Sequence, residues 1–228
     1  MFVVPSMVAS VVRFPLGYRV REVGPRPEKR LELYEFEGCP FCRKVREALT
    51  MLDLEVLVLP TPKGGTRFRP EGTERGGKAQ FPLLVDPNQE LTLYESDDII
   101  RHLYSAYGAG PVPLGLRLGA LGTGLSGVAS LARAGQGSQA RPSRAPEKPL
   151  ELWSYEISPY SRRAREVLCE LELPYVLHNV GQGSQARADL RERAGKVQVP
   201  YLEDPNTGAK MFESRDIVKY LDATYAIG

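Results

Sequence analysis

The chain has 228 residues, of which 25% are charged and 42% hydrophobic, and its net charge is +2. This composition is typical of a soluble globular protein with room for two small domains or one large one. Three cysteines, two of them in one C-x-x-C, do not form the framework of a secreted disulfide protein, and two histidines are too few to complete a zinc site convincingly. We therefore expect a reducing compartment and no metal.

The charge is unevenly distributed along the chain. Residues 1–30 and residues 109–148 each carry +4, so the remainder of the chain carries −6. The first segment is a basic N-terminal extension, either the remnant of an organelle-targeting sequence or an ordered arm. Because the other modules are acidic, nucleic-acid binding is not expected.

The sequence contains two related halves. "LELYEFEGCPFCRKVREAL" from Leu31 aligns with "LELWSYEISPYSRRAREVL" from Leu150, and "FPLLVDPNQELTLYESDDIIRHL" aligns with "VPYLEDPNTGAKMFESRDIVKYL". Similarity on this scale indicates duplicated domains. We define repeat one as residues 31–108 and repeat two as residues 149–228, joined by a basic, glycine-rich and apolar connector, 109–148.

Each repeat has the predicted order β-α-β followed by β-β-α. A right-handed crossover makes the first two strands parallel and places helices against the sheet, which predicts α/β domains with mixed four-stranded sheets and flanking helices. In repeat one the predicted elements are a strand from Leu31, a helix with apolar residues between Phe41 and Leu52, a strand at 55–59, a long polar loop around Lys63 to Lys78, a hairpin of 81–85 and 91–94, and a helix from Ser96 to Tyr107.

This order, with C-x-x-C where the first strand meets its helix and a proline opening the third strand, resembles a thioredoxin fold. Repeat one is similar to a glutaredoxin or to the N-terminal domain of a glutathione transferase. Repeat two resembles the N-terminal domain of serine-type plant glutathione transferases through Ser158, Pro159 and Arg163. Over roughly residues 25–226 the chain resembles the tandem glutathione-transferase N-domain proteins of plant and algal chloroplasts. The resemblance implies a plastid protein, in the stroma or on the stromal face of the thylakoid.

The C-x-x-C motif predicts a redox pair. Cys39 is expected at the N-cap of the first helix, where free N–H groups and the helix dipole stabilise a thiolate. Arg43, Lys44 and Arg46 are expected to add positive potential beside it. Cys42, one turn further, is placed to resolve a mixed disulfide formed on Cys39. The alternative is a relic pair retained for packing.

The resemblance also implies a glutathione site in repeat one. A cis Pro82 would let the backbone of Phe81 pair with an extended ligand opposite the cysteines. Glu95 and Ser96 would hold the glutamyl end, although an N-cap role alone would explain Ser96. The basic residues from Lys63 to Lys78 could meet the glycyl carboxylate or could simply be solvated.

Repeat two lacks the redox pair, because Ser158 and Ser161 replace the cysteines and a serine hydroxyl forms no disulfide. In serine-type transferases the hydroxyl that matches Ser158 donates a hydrogen bond to the glutathione thiolate. Cys169, which aligns with Thr50, is expected to be a structural thiol.

By the resemblance, repeat two keeps its other glutathione-binding positions, which are Val199, Pro200, Glu213 and Ser214. Repeat two is therefore expected to be redox-inert, with either a glutathione-binding or a structural role. Conjugation is less expected, since in those transferases an all-helical domain follows and forms the electrophile pocket. Here about forty residues lie between repeat one and repeat two, and the given sequence ends with repeat two.

The connector is the least ordinary segment. Between Pro111 and Gly135 it alternates small and apolar residues, which predicts a helix pressed between the repeats or, alternatively, a contact with a membrane-embedded partner or lipid surface. A small-residue stripe would consist of Leu116, Ala120, Thr123, Gly127 and Leu131. The heptapeptide "GQGSQAR" occurs at 135–141 and again at 181–187, with no motif context that predicts a phosphate site.

Two functional hypotheses follow. The first is a glutathione-linked thiol-disulfide oxidoreductase, with glutathione as co-substrate, Cys39 as nucleophile and Cys42 as resolving thiol, acting on glutathione mixed disulfides or a protein disulfide. The second is a non-catalytic plastid subunit or assembly factor that docks on a thylakoid complex through residues 1–30 and 109–148. A glutathione transferase and a glutathione-bridged iron-sulfur cluster at Cys39 are weaker alternatives.

Overall fold

The structure, a computed structural model, describes residues 16–21, 23–117 and 135–228. The strands are β1 (Leu31–Glu35), β2 (Val56–Pro60), β3 (Leu83–Asp86), β4 (Leu91–Leu93), β5 (Leu150–Ser154), β6 (Tyr175–Asn179), β7 (Tyr201–Asp204) and β8 (Ala209–Phe212). The helices are α1 (Pro40–Met51), α2 (Phe68–Gly76), α3 (Ser96–Tyr107), α4 (Leu114–Arg117), α5 (Pro159–Glu170), α6 (Ala186–Ala194) and α7 (Ser214–Tyr225).

Each repeat contributes four strands, in the spatial order β4-β3-β1-β2 and β8-β7-β5-β6. Within repeat one, β1 runs parallel to β2 and antiparallel to β3, and β4 completes an antiparallel hairpin. Repeat two has the same pairings. The predicted α/β class and the thioredoxin-like fold are confirmed.

One predicted element is wrong. The segment from Lys63 to Lys78, predicted to be a long polar loop, contains helix α2, and α6 occupies the same place in repeat two. Gly72 is the one buried residue of α2, so the helix carries almost no apolar stripe. Without such a stripe the sequence pattern gave no helical periodicity to detect.

The two four-stranded sheets join into one eight-stranded sheet, which the sequence analysis did not predict. Strands β2 and β6 pair antiparallel at the junction, with Leu57 opposite Val176. In the alignment of the repeats, Leu57 and Val176 occupy equivalent positions. The junction is therefore isologous, as in a two-fold symmetric dimer, although both halves belong to one chain.

The hydrophobic core is also shared. Helix α1 packs against α3, and α5 against α7. One continuous cluster of buried side chains includes Leu31 and Leu49 from repeat one and Leu150 and Leu168 from repeat two. Burial across the junction makes the two repeats one packed unit, because apolar area is removed from water between them as well as within them.

Two segments precede the repeats, and each contacts both its own repeat and the opposite one. We call residues 16–21 and 23–30 arm one, and residues 135–148 arm two. Arm one pairs with repeat two through an isolated bridge between Arg19 and Gln182, and arm two pairs with repeat one through a bridge between Lys63 and Gln139. The two copies of "GQGSQAR" thus take opposite roles, one in an arm and the other in a loop that an arm contacts.

Most of the connector stripe lies outside the described residues. Of its members, Leu116 is described and is buried in the short helix α4. Within the described ranges no helix has the length and apolar character needed to cross a membrane.

Candidate redox and glutathione site

The site begins at Cys39, which is the N-cap of α1 as predicted. Its backbone is extended (φ −79°, ψ 125°), Pro40 follows at the first helical position, and the N–H of Cys42 donates to Cys39 Sγ at 3.4 Å. Hydrogen bonding from Cys42 lowers the pKa of Cys39, and burial opposes it. The thiolate is therefore favoured at Cys39, although only 3% of the residue is exposed.

Cys42 has the opposite properties. It is fully buried, and burial raises its pKa well above the ordinary value of a thiol. The residue between the cysteines, Phe41, is 45% exposed. The motif therefore combines a favoured thiolate, a protonated buried thiol and an exposed aromatic side chain.

The basic residues of α1 do not act as the sequence analysis predicted. Lys44 is buried and forms an ion pair with Asp97. Arg46 is buried and forms ion pairs with Glu35, Glu37 and Glu156. None of these cations is among the main causes of the lowered Cys39 pKa. Carboxylates neutralise the charges of Lys44 and Arg46, and one of these carboxylates, Glu156, belongs to repeat two.

Glu35 is a residue that the sequence analysis missed. It ends β1, is buried, and accepts a hydrogen bond from Arg46. Burial raises its pKa to about 7, with Arg46 acting in the opposite direction. Its negative charge raises the pKa of both Cys39 and Cys42. Ser154 occupies the equivalent position in repeat two. This difference between the two repeats was the sequence signal that could have identified Glu35.

The predicted ligand-binding backbone lies beside the thiols. The Phe81–Pro82 peptide bond is cis, and Phe81 belongs to the same buried cluster as Cys39 and Cys42. Glu95 has a left-handed φ of +61° and accepts a hydrogen bond from Gln80 Nε2. The start of α3 is therefore linked through Gln80 to the segment that contains Phe81.

The capping prediction for Ser96 is wrong by one residue. Glu95 is the N-cap of α3, and its carbonyl accepts from the N–H of Ile99 at 2.9 Å. Ser96 is the first helical residue and is buried. In repeat two, Glu213 and Ser214 take the same two places.

The basic segment before β3 is engaged in internal contacts. Arg67 donates to the carbonyls of Leu171, at 2.9 Å, and Glu172, at 3.1 Å, at the end of α5. Arg75 pairs with Glu32. Two members contact the buried cluster that contains the thiols: Arg75 donates to Tyr34 Oη at 3.2 Å, and the guanidinium of Arg69 lies 5.0 Å from the centre of the Phe81 ring.

Repeat two reproduces the geometry without the thiols. Ser158 is the N-cap of α5 and accepts from the N–H of Ser161 at 3.2 Å. The Val199–Pro200 bond is cis, and Glu213 has a φ of +66°. The five ligand-binding positions predicted in repeat two are therefore arranged as in repeat one.

The side chains around the first strand of the site differ between the repeats, with Trp153 in repeat two and Tyr34 in repeat one. Trp153 stacks on His178 with ring centres 4.3 Å apart, and the guanidinium of Arg193 lies 5.2 Å from the Trp153 ring. His178 also bridges the junction through Glu55, at 2.7 Å, and Glu151, at 2.5 Å. In repeat one the residue at the Trp153 position is Tyr34, whose hydroxyl donates to Glu71 at 2.6 Å.

Cys169 is buried at the penultimate position of α5. Burial raises its pKa well above the ordinary value, which keeps it a neutral thiol. In the part of the chain that the structure describes, no group of three or more His, Cys, Asp or Glu side chains is arranged to hold a metal ion.

The fold and the site together define a thioredoxin-like protein of the glutathione-transferase type. The chain matches the family described as "Glutathione S-transferase, N-terminal domain" over residues 33–111 and again over residues 152–227. These two stretches make up more than half of the sequence, and the chain belongs to this family.

Among solved structures, the chain is similar to one described as "Leishmania TDR1 - a unique trimeric glutathione transferase". The identity is 16%, the match covers 88% of this chain and 68% of that chain, and the TM-score is 0.32. No curated protein matches the chain.

Proposed function

We propose that the protein is a glutathione-linked thiol-disulfide oxidoreductase whose reaction takes place at Cys39. The observation that carries this proposal is the placement of Cys39 at the helix N-cap, where hydrogen bonds from the side chain of Cys42 and from its backbone N–H lower the pKa of Cys39. Cys42, one turn away and buried, is the resolving thiol. The family membership supports glutathione as the co-substrate.

The chemistry consists of thiol-disulfide exchanges. The Cys39 thiolate attacks the glutathione sulfur of a mixed disulfide, which releases the substrate thiolate and leaves glutathione bonded to Cys39. A second glutathione thiolate then attacks the bound glutathione sulfur, which forms glutathione disulfide and releases the Cys39 thiolate. Alternatively, the Cys42 thiolate attacks Cys39 Sγ, which breaks the bond between Cys39 and glutathione and releases that glutathione, which takes up the proton lost by Cys42. Two glutathione molecules then reduce the Cys39–Cys42 disulfide and leave as glutathione disulfide.

We assign the glutathione subsites by the same reasoning. The backbone of Phe81, which shares a buried cluster with Cys39, would pair with the cysteinyl unit as in β-strand addition. Glu95 and Ser96 begin α3, where free N–H groups favour a carboxylate such as that of the glutamyl end. We assign the equivalent Val199, Pro200, Glu213 and Ser214 to a redox-inert binding or structural role in repeat two.

The test is glutathione-dependent reduction of a small glutathione mixed disulfide by the purified protein. We expect turnover in the wild type and loss of at least a hundredfold in Cys39→Ser, because the nucleophile is gone. Ser158→Ala is the matched control, since it alters the equivalent N-cap of repeat two. Wild-type turnover no faster than that of Cys39→Ser would reject the proposal.

A non-catalytic docking role is the second candidate, and the 3% exposure of Cys39 favours it, because a buried thiol meets a substrate disulfide rarely. The basic segments that would dock on a thylakoid complex lie partly outside the described residues. Chloroplast localisation remains a prediction, which fractionation of the source cells would test.

A further inference from the structure

The turn that leads into α1 determines where the sulfur of Cys39 lies. The N–H of Cys39 donates to the carbonyl of Phe36 at 3.0 Å, and the two residues between them are Glu37 and Gly38. Glu37 is buried and charged. A buried carboxylate requires fixed partners, so the contacts of these two residues decide how firmly the turn is held.

Three contacts to the turn come from repeat two and its arm. Arg165 donates to both carboxylate oxygens of Glu37, from Nε at 3.0 Å and from Nη2 at 3.2 Å. The N–H of Glu37 donates to Cys169 Sγ at 3.4 Å. The N–H of Gly38 donates to the carbonyl of Gly137 in arm two at 3.1 Å. Side chain and backbone of the turn are thus both bound by the other repeat.

Arm two is itself hydrogen-bonded to helix α5 at Gly137. Cys169 Sγ donates to the carbonyl of Gly137 at 3.3 Å, and the N–H of Gly137 donates to Glu170 Oε1 at 2.9 Å. Gly38 lies so close to the arm that a Cβ there would be 1.9 Å from Ser138 Oγ. A side chain at position 38 would therefore force the Ser138 hydroxyl to rotate away from the turn.

We propose that repeat two positions Cys39, so that the redox site is a composite of both repeats. Arm two, Arg165 and Cys169 hold the Glu37–Gly38 turn, and the turn aligns Cys39 Sγ with the N–H of Cys42. The inference rests on the proposed role of Cys39 as nucleophile. It also explains why a copy without redox cysteines remains in the chain: the copy supplies part of the site of repeat one.

The two-fold arrangement supplies a matched control. In the mirrored turn of repeat two, the N–H of Glu156 donates to Thr50 Oγ1 at 3.3 Å, and the N–H of Ile157 donates to the carbonyl of Gly17 at 3.3 Å. Thr50 thus does for the Ser158 turn what Cys169 does for the Cys39 turn. A change at Thr50 should disturb the same kind of contact without reaching Cys39.

The experiment measures the pH midpoint of Cys39 alkylation by iodoacetamide, followed by peptide mass spectrometry. We expect Cys169→Val to raise the midpoint by about one unit, because the hydrogen bond that favours the thiolate depends on the alignment of the turn. Cys169→Thr keeps an acceptor and should restore the wild-type midpoint. Thr50→Val should leave the midpoint unchanged.

A second pair of variants, Gly137→Ala and Gly17→Ala, tests the inference if Cys169→Val does not fold. Gly137 and Gly17 have φ values of +69° and +70°, and a Cβ at either would lie 2.9 Å from the Cβ of Glu37 or Glu156. Alanine at either position introduces the same strain. We expect Gly137→Ala, and not Gly17→Ala, to raise the Cys39 midpoint.

Two results would overturn the inference. An unchanged midpoint in the Cys169 and Gly137 variants would show that repeat two does not position the thiol. An equal shift in the mirrored variants would show general loosening instead. Because alkylation needs no turnover, these outcomes are distinguishable from failure of the proposed function, in which the midpoints shift but mixed disulfides are not reduced.

Discussion

At the scale of single residues, the placement of the two thiols was predictable and their electrostatic surroundings were not. The spacing of Cys39 and Cys42 after a strand predicted the N-cap and the first turn of the helix correctly. Arg46 was misinterpreted because its partners, Glu35 and Glu156, are distant in the sequence or belong to the other repeat. Long-range ion pairs have no local sequence signal.

Glu35 provides a prediction on pH dependence. Its pKa is raised from 4.5 to about 7 in the folded protein, with burial as the largest cause. A raised pKa means that the folded state binds the proton more tightly than the unfolded state. The stabilising contribution of Glu35 is therefore complete below about pH 4.5 and is lost as the pH rises toward 7.

We expect Glu35→Gln, which imitates the protonated acid, to remove this contribution. The free energy of unfolding of the wild type, measured in urea, should fall more steeply between pH 5 and pH 7.5 than that of the variant. His178, whose pKa is also raised in the folded state, is present in both proteins, and its effect cancels in the comparison. Parallel pH profiles for the two proteins would contradict the role assigned to Glu35.

At the scale of elements, strongly patterned segments were predicted well. Helix α3 has the predicted bounds, Ser96 and Tyr107, because its apolar residues recur at helical spacing and form its buried face. The hairpin of β3 and β4 was predicted from the Asp-Pro-Asn turn, which begins at Asp86. Helix α2 was missed because one glycine is its only buried residue.

Asp86 ties this hairpin to α3. Its buried carboxylate accepts from Tyr107 Oη at 2.6 Å and contacts His102 Nε2 at 2.8 Å. Burial raises the pKa of Asp86, but these hydrogen bonds outweigh it and the net direction is downward. Asp204 makes the equivalent contact with Tyr225 Oη at 2.5 Å in repeat two.

We expect Asp86→Ala to lower the free energy of unfolding by about 2–3 kcal/mol, because it leaves the buried Tyr107 hydroxyl without this acceptor. Urea unfolding at pH 7 measures the change. Asp98→Ala is the control, since Asp98 forms an exposed ion pair with Arg101 and its loss should cost less than about 1 kcal/mol. Equal effects of the two substitutions would contradict the account of the hairpin.

At the scale of the whole molecule, the duplication was evident from the sequence, but the union of the repeats was not. The alignment predicted two similar sheets, and nothing in the pattern of β2 showed that its free edge would pair with β6. Both strands are short and apolar, which suits a buried interior strand as well as an edge. The joined sheet depends on contacts between β2 and β6, and each arm also contacts the opposite repeat. Neither kind of contact can be read from one repeat alone.

A buried charge cluster lies on the same two-fold axis. Arg46 and Arg165 are equivalent residues, and both contact Glu37 and Glu156, which are also equivalent. Removing one member of such a cluster leaves uncompensated buried charge, so the pairings fix how the repeats meet. Cys39 lies directly after the turn that contains Glu37, which connects the symmetry of the molecule to the proposed redox site.

The most direct test of this account is to incubate the protein with glutathione disulfide and map the products by mass spectrometry. We expect a Cys39–Cys42 disulfide in the wild type and a stable Cys39–glutathione adduct in Cys42→Ser, because Cys39 attacks and Cys42 resolves. Cys169 should stay unmodified, since it is buried and neutral. An unmodified Cys39 in Cys42→Ser, or glutathione found on Cys169 instead, would contradict the central claim that Cys39 is the nucleophile.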